Sequence, residues 1–352
     1  MSSRQLRALT NKMPELQSEP LDTVLVGRLQ REYLLPYNRP PRPNVLGGNL
    51  AYAAGAVGLW GGRAGLLTRI DKEFPLTWLD PFTKVGFELS GVRTGDEKID
   101  DRRFVAYSDP TTAHFENPLT WFAERQMPFP RELLGYNLGP TRLCSKTDYQ
   151  PYSLHIHDMP RAYLEVSAAH ICPIDFLSHK MLPSLFKAGM IQTLTMRACA
   201  CYMDPSYWSE MKALLSDLTA FLVTETEALK LFQGRSVDLW EIAEDLAAFG
   251  PEFILMDVKD GSRWAYDRVT KHRWIVPAYP TIPVDPTGAA HAFDGGFLIN
   301  YRKHYDLIEG VLCGQVSAAF CAEGSGPAYL LDSLPGLKEA RVETLRARVM
   351  AI

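Results

Sequence analysis

Residues 285–297 read Asp-Pro-Thr-Gly-Ala-Ala-His-Ala-Phe-Asp-Gly-Gly-Phe, and the fold is best approached from this stretch. The small side chains of Gly288, Ala289 and Ala290 open a helix that continues through Phe293 and Leu298. Successive backbone N–H groups at such a helix start face open space, which makes an anion site. His291 stands just inside that start, and an unperturbed imidazole, with a pKa of about 6.5, is largely neutral at pH 7 and able to accept a proton. Asp294, three residues further on, shares nearly the same helical face and offers a displaced carboxylate.

Working outward, the chain alternates strands and helices. Residues 22–27 form a short β-branched run ending in glycine, as a buried parallel strand does where it opens onto a functional loop, and a polar, turn-rich segment follows to Pro43. Gly47-Gly48-Asn49 leads into an Ala-rich apolar helix over 50–59, and 64–68 reads as the next strand. Further strands are expected at 169–172, 193–196, 220–223 and 253–256, with helices at 177–188, 207–215, 226–232, 240–249 and 306–321. This alternation predicts an α/β fold, a mostly parallel sheet covered on both faces, with ligands at the strand C-termini. Residues 109–164 break the pattern, being rich in Pro, Tyr, Trp and His without either period. They extend a lid or present a partner surface.

The chain of 352 residues fits one α/β core with a lid. Its net charge of -4 gives no reason to expect a nucleic-acid or anionic-membrane partner. The longest apolar run, 51–60, falls well short of the roughly 18 residues that span a bilayer. The first twenty residues are polar and lack the apolar core of a secretory signal, so a cytoplasmic location is expected. The six cysteines, at 144, 172, 199, 201, 313 and 321, form no Cys-x-x-Cys pair, and Cys199 and Cys201 are expected as buried thiols. His155-x-His157 could chelate a metal from one strand face, without an evident third ligand.

The 285–297 stretch resembles the C-terminal signature of the PfkB (ribokinase-like) carbohydrate kinases, D-T-x-G-A-G-D-x-F, with Ala290 at the second glycine and His291 at the final aspartate. Gly47-Gly48 resembles the family's G-G-x-x-x-N segment, with Tyr52 at the asparagine, and Glu32 follows the first strand where the family has an acidic residue. Thr224-x-x-Glu227 is similar to N-x-x-E, and 256–261 resembles a T-x-G-x-x-G nucleotide loop that keeps only Gly261. The Gly326 loop resembles the turn beside the adenine. The resemblance covers roughly residues 20–335 and implies a ribokinase-like three-layer αβα fold with a small β lid from about 28–45 and 93–164, after a tail over 1–20 and before a C-terminal helix over 336–352.

It further implies ATP and Mg2+ as cofactors, a sugar or nucleoside as partner, and pairing of lids in a homodimer. By the same resemblance, His291 is the catalytic residue, and Gly288, Ala289 and Ala290 form the anion hole. Thr224, Glu227, Asp285, Gly261 and Gly326 attend ATP, with Glu227 ordering the magnesium water shell. Glu32, Gly47, Gly48, Asn49, Tyr52 and Arg103 attend the acceptor. Two readings stay open: an ATP-dependent sugar or nucleoside kinase, and an inactive pseudokinase that binds nucleotide or sugar and serves as a sensor or partner-binding protein. Gly61-Gly-Arg-Ala-Gly65, the nearest approach to a dinucleotide fingerprint, precedes a strand instead of following one, which weighs against an oxidoreductase.

Overall fold

A computed structural model describes residues 21–137 and 143–352, so the expected tail over 1–20 lies outside the described residues. The central sheet has ten strands in the order β14-β13-β12-β11-β10-β9-β8-β1-β4-β5. Its parallel part comprises β1 (Thr23–Val26), β4 (Ala64–Ile70), β5 (Val92–Thr94), β8 (Ala168–Ile171), β9 (Thr193–Arg197), β10 (Ala220–Thr224) and β11 (Phe253–Asp257). Three antiparallel strands, β12 (Arg263–Asp267), β13 (Arg273–Val276) and β14 (Met350–Ala351), extend one edge.

Alternation along the strands divides their side chains between two cores. Phe221, Val223, Ile254 and Met256 face a core closed by helices α3 (Phe176–Lys187), α4 (Glu225–Leu231) and α5 (Leu239–Ala248). Ala220, Leu222 and Leu255 face the opposite core, closed by α1 (Asn49–Leu59), α6 (Ala289–His304), α7 (Leu307–Glu323) and α8 (Leu337–Arg346). The result is the expected ribokinase-like three-layer αβα arrangement.

A second sheet, in the order β3-β2-β6-β7, stands over the strand ends as the lid. It consists of β2 (Gln30–Leu35), β3 (Arg42–Gly47), β6 (Arg102–Tyr107) and β7 (Ala113–His114). The turn-rich segment expected up to Pro43 therefore contains a strand and the start of another. The 109–164 insertion divides in two. Its first half supplies β7 and α2 (Pro118–Glu124), and Phe122 and Leu133 cover Tyr33, Leu35, Phe104 and Ala106 of the lid sheet. Its second half returns to the body, where Leu154 and Tyr163 join the main core and the Tyr163 ring lies in the space left by Gly65 and Gly91. The lid thus ends well before 164. The C-terminal segment is also only partly helical, because β14 follows α8 and pairs with β13.

Helices α1, α6 and α7 cross closely through glycines. A Cβ on Gly295 would lie 2.1 Å from the Ala53 carbonyl oxygen, and one on Gly296 2.2 Å from Ser317 Oγ. The double glycine that closes the opening motif is therefore a packing device. Gly295→Ala is expected to destabilise the fold by about 1–3 kcal/mol through overpacking against backbone. Urea denaturation would test this, and an unchanged midpoint would refute the close crossing.

Candidate active site

The C-terminal ends of β9, β10 and β11 converge on the N-terminus of α6. Gly288 caps that helix at φ 84°, a conformation that suits glycine, and a Cβ there would collide with the Tyr52 ring at 2.1 Å. The Ala289 N–H turns back to the Pro286 carbonyl at 3.1 Å, and the His291 N–H to that of Gly288 at 2.9 Å. Among the described residues the N–H groups of Gly288 and Ala290 have no partner, which leaves these two donors open at the helix start.

Beneath the helix start lies a buried ion network. Arg197, at the end of β9, grips Asp294 with Nε (2.6 Å) and Nη2 (2.5 Å), and reaches Asp257 with Nη1 at 2.8 Å. Arg263 Nε lies 2.8 Å from the other Asp257 oxygen, and its guanidinium stacks 4.7 Å from the Phe293 ring centre. Burial alone would raise the Asp294 carboxyl, but the charge of Arg197, its two hydrogen bonds and the nearby imidazoles of His170 and His291, each 3.5 Å away, hold it well below the ordinary carboxylate range. Burial would likewise lower Arg197, and its two carboxylates keep it well above its usual value.

His291 leans on this network. Its Nδ1 is buried 3.5 Å from Asp294 Oδ2, just beyond hydrogen-bond geometry, which leaves Nε2 as the outward nitrogen. Burial lowers the imidazole pKa, Asp294 partly restores it, and Arg197 and Arg103 lower it further, so the ring is neutral at neutral pH. Asp294 stands beside the His291 ring, as its spacing of three residues on one helical face anticipates.

On the acceptor side, Glu32 is fully buried and accepts from Tyr52 Oη (2.8 Å) and the Gly48 N–H (3.1 Å). Burial raises its pKa against the opposing effects of Arg103, Gly48 and Tyr52. Gly47 is close to Glu32 because any Cβ there would strike the carboxylate. Tyr52 is both core and site: its ring packs on Gly288 while its hydroxyl holds Glu32. Asn49 departs from expectation, since its Oδ1 accepts from the Arg28 N–H at 2.8 Å and its Nδ2 donates to the Pro173 carbonyl at 2.7 Å. Its amide is spent on backbone at the base of the lid. Arg103, on β6 in register with Glu32, makes no hydrogen bond or ion pair among the described residues and stacks 5.5 Å from the Phe115 ring centre. Tyr107, from the same strand, hydrogen-bonds Thr287 at 2.9 Å and couples lid to motif.

On the nucleotide side, Thr224 and Glu227 form a capping box: Thr224 Oγ1 accepts from the Glu227 N–H (3.2 Å), and Glu227 Oε2 accepts from the Thr224 N–H (3.0 Å) and hydroxyl (2.8 Å). Burial raises the Glu227 carboxyl, and Thr224 offsets part of that. Oε1 keeps no protein partner among the described residues, which suits a hard, largely hydrated cation held through one carboxylate. Asp285 is structural instead of nucleotide-facing, because its carboxylate takes the Thr287 N–H and the Ser325 hydroxyl. Gly261, at φ 83°, offers its carbonyl to Gln315 Nε2 at 3.1 Å, and Gly326 turns at φ 82° beside the Arg42 guanidinium.

Residues 162–334 match the pfkB family carbohydrate kinase model. This segment belongs to the pfkB family. A cytidine kinase of Thermococcus kodakarensis is 24% identical over 302 residues, covering 84% of this chain and 93% of that protein. Among solved structures, the E. coli protein designated Ribokinase II, in complex with ATP and Mg2+, superposes with a TM-score of 0.66 at 16% identity, covering 93% of this chain and 99% of the other. The nucleoside kinase of Methanocaldococcus jannaschii gives 0.62 at 15% identity, covering 92% and 99%.

Within this pfkB domain, Arg197, Asp257 and Arg263 escaped the sequence reading. Their one visible signal is a charge at the end of an apolar strand, as in Thr-Leu-Thr-Met-Arg197 and Ile-Leu-Met-Asp257. The pair His155 and His157 stacks ring on ring at 5.3 Å and gains no third metal-ligating side chain among the described residues. Cys201 is bonded to Cys144, which corrects the expectation of a free thiol there, while Cys199 remains one.

Two outcomes are expected. Arg197→Met leaves buried Asp294 without its guanidinium and Asp257 with Arg263 alone, and should cost about 3–5 kcal/mol in urea denaturation; a loss near zero would show that the network carries no net stability. The second concerns acid. A histidine with a lowered folded pKa contributes stability that is complete above its ordinary value of about 6.5 and is lost as the pH falls below it. His291 has this sign, and so does buried His179, pushed down to about 4 by burial. Melting temperature should therefore drop from pH 6.5 towards 4, less steeply in His291→Gln and less again with His179 also replaced; unaltered slopes would exclude both groups.

Proposed function

We propose that this pfkB protein is a kinase that transfers the γ-phosphoryl group of ATP to a hydroxyl of a nucleoside or sugar, with His291 as general base. The observation that carries the reading is the orientation of His291: Nδ1 is turned to Asp294 and Nε2 faces outward at the helix start. A carboxylate behind an imidazole fixes the tautomer and stabilises the imidazolium that forms when the base is protonated. Here Asp294 has that role, and a small side-chain adjustment closes its 3.5 Å separation into a hydrogen bond.

The acceptor hydroxyl gives its proton to His291 Nε2 as its oxygen attacks the γ-phosphorus, and the bond to the β-phosphate oxygen breaks to release ADP. The N–H groups of Gly288 and Ala290 stabilise the charge on the transferring group. Arg103, which has no hydrogen bond or ion pair among the described residues, supplies a further positive charge from the lid. Magnesium, when bound near Glu227, spreads the phosphate charge. A nucleoside is the first acceptor to try, because the cytidine kinase relative spans most of the chain. A specific observation favours the pseudokinase alternative: Tyr52 already occupies the Glu32 carboxylate that an acceptor hydroxyl would use.

Magnesium-dependent ADP release across nucleosides and sugars decides between them. The natural protein should turn over, and His291→Ala should lower kcat by about 10²–10⁴-fold with little change in KM, the usual contribution of a general base. Activity should be flat near neutral pH and fall in acid as the imidazole protonates, at a pH below the ordinary histidine value. ATP binding without turnover by the natural protein, joined by activity in His291→Asp, would establish the pseudokinase reading instead.

A further inference from the structure

Three cysteines converge beside the loop that follows β9. The Sγ atoms of Cys144, Cys199 and Cys201 all lie within 4.8 Å of one another, the one such set of potential metal ligands among the described residues. Cys144 and Cys201 are joined as a disulfide, and Cys199 Sγ lies 3.2 Å from that of Cys201. In a tetrahedral zinc thiolate with Zn–S bonds of about 2.3 Å, neighbouring sulfurs stand about 3.8 Å apart. Opening the disulfide would bring the three sulfurs to that spacing through side-chain rotation.

The backbone around them is held without the sulfur bond. The Cys144 N–H donates to the Cys201 carbonyl at 3.0 Å, Tyr207 Oη donates to the Cys144 carbonyl, and Lys146 Nζ donates to the Ser206 carbonyl at 3.1 Å. The cysteines therefore remain together when reduced. Three thiolates around a dication carry a net charge of about -1 by formal count, and a counter-ion stands ready. Arg28 is within electrostatic reach of Cys199, pairs with no carboxylate side chain among the described residues, and is held by the Tyr152 ring (4.0 Å) and the Asp100 carbonyl (3.2 Å).

We propose that the reduced protein binds a zinc ion through Cys144, Cys199 and Cys201, with water in the fourth position, and that the disulfide is the metal-free, oxidised state of the same site. Reduction by a dithiol puts two electrons and two protons on the Cys144 and Cys201 sulfurs and leaves the dithiol as its disulfide. Zinc then displaces the three thiol protons to solvent. In reverse, a peroxide takes two electrons from the same pair, becomes water, and the ion departs as the S–S bond forms. In both states residues 143–148 stay fastened to the loop after β9, whose first residues follow Arg197. This inference does not depend on the kinase reading.

The test is titration of the full chain, reduced by a phosphine under argon, with Co2+ and then Zn2+. About one ion per chain is expected, with sulfur-to-cobalt charge-transfer absorption, and Cys199→Ser should lower that absorption at saturation, two thiolates remaining of three, and weaken binding by roughly tenfold or more. Cys313→Ser should behave as the natural protein, and the oxidised protein should take up no metal. Should the variants fail to fold, zinc should slow alkylation of Cys144, Cys199 and Cys201 in the natural reduced chain relative to Cys172, Cys313 and Cys321. Undiminished thiolate absorption and affinity in Cys199→Ser, no absorption in the reduced natural protein, or alkylation indifferent to zinc would each overturn the proposal.

Discussion

A guanidinium buried beneath the end of a parallel sheet has to be met by charge, and Arg197 is met by Asp294 from α6 and Asp257 from β11. Desolvating any one of these ions alone would be prohibitive, so β9, β11 and α6 can come together only as a set. Arg263 extends the set to the antiparallel edge, where its guanidinium rests on Phe293 in the first turns of the motif helix. Placement of the helix start, and with it the anion hole, follows from this network as much as from the apolar contacts of the helix. The same network gives His291 its carboxylate partner.

The acceptor half of the site is organised by a second buried carboxylate. Among the described residues Glu32 forms no ion pair, and it is satisfied by the Tyr52 hydroxyl and a backbone N–H. Because the Tyr52 ring also lies on Gly288, one side chain links the lid base, the first helix and the anion hole. Arg103 and Tyr107 descend from β6 over the same ground. Lid strand and motif are thus in contact through Tyr107 and Thr287, while Tyr52 holds one oxygen of Glu32.

The long periodic elements were legible in the sequence because their burial is set locally. Apolar runs such as Phe253–Asp257, and the Ala-rich helix Asn49–Leu59, have one way to bury their surface. The lid strands were not, since Gln30–Leu35 and Arg42–Gly47 mix charges with apolar residues, and the sheet buries two small separate clusters, Tyr33 and Leu35 under α2 and Leu34 with Val105 and Tyr107 on the other face. The edge hairpin of β12 and β13 was hidden for a similar reason, its arginines and tryptophans showing no clean alternation. The union of Cys144 with Cys201 joins residues 57 apart in the chain, a distance no spacing rule spans.

By itself, the sequence determined the order of strands and helices, the glycine-opened helix start and the position of His291 within it, because these depend on neighbours within a few residues. Only the tertiary structure decided that Arg197 neutralises Asp294, that Tyr52 fills the Glu32 carboxylate and that the polar atoms of Asn49 and Asp285 are engaged by the scaffold. The physical reason is that the protonation state and availability of a polar group are set by what desolvates and pairs it. In this chain those partners come from strands and helices as far apart in sequence as Arg197 and Asp294.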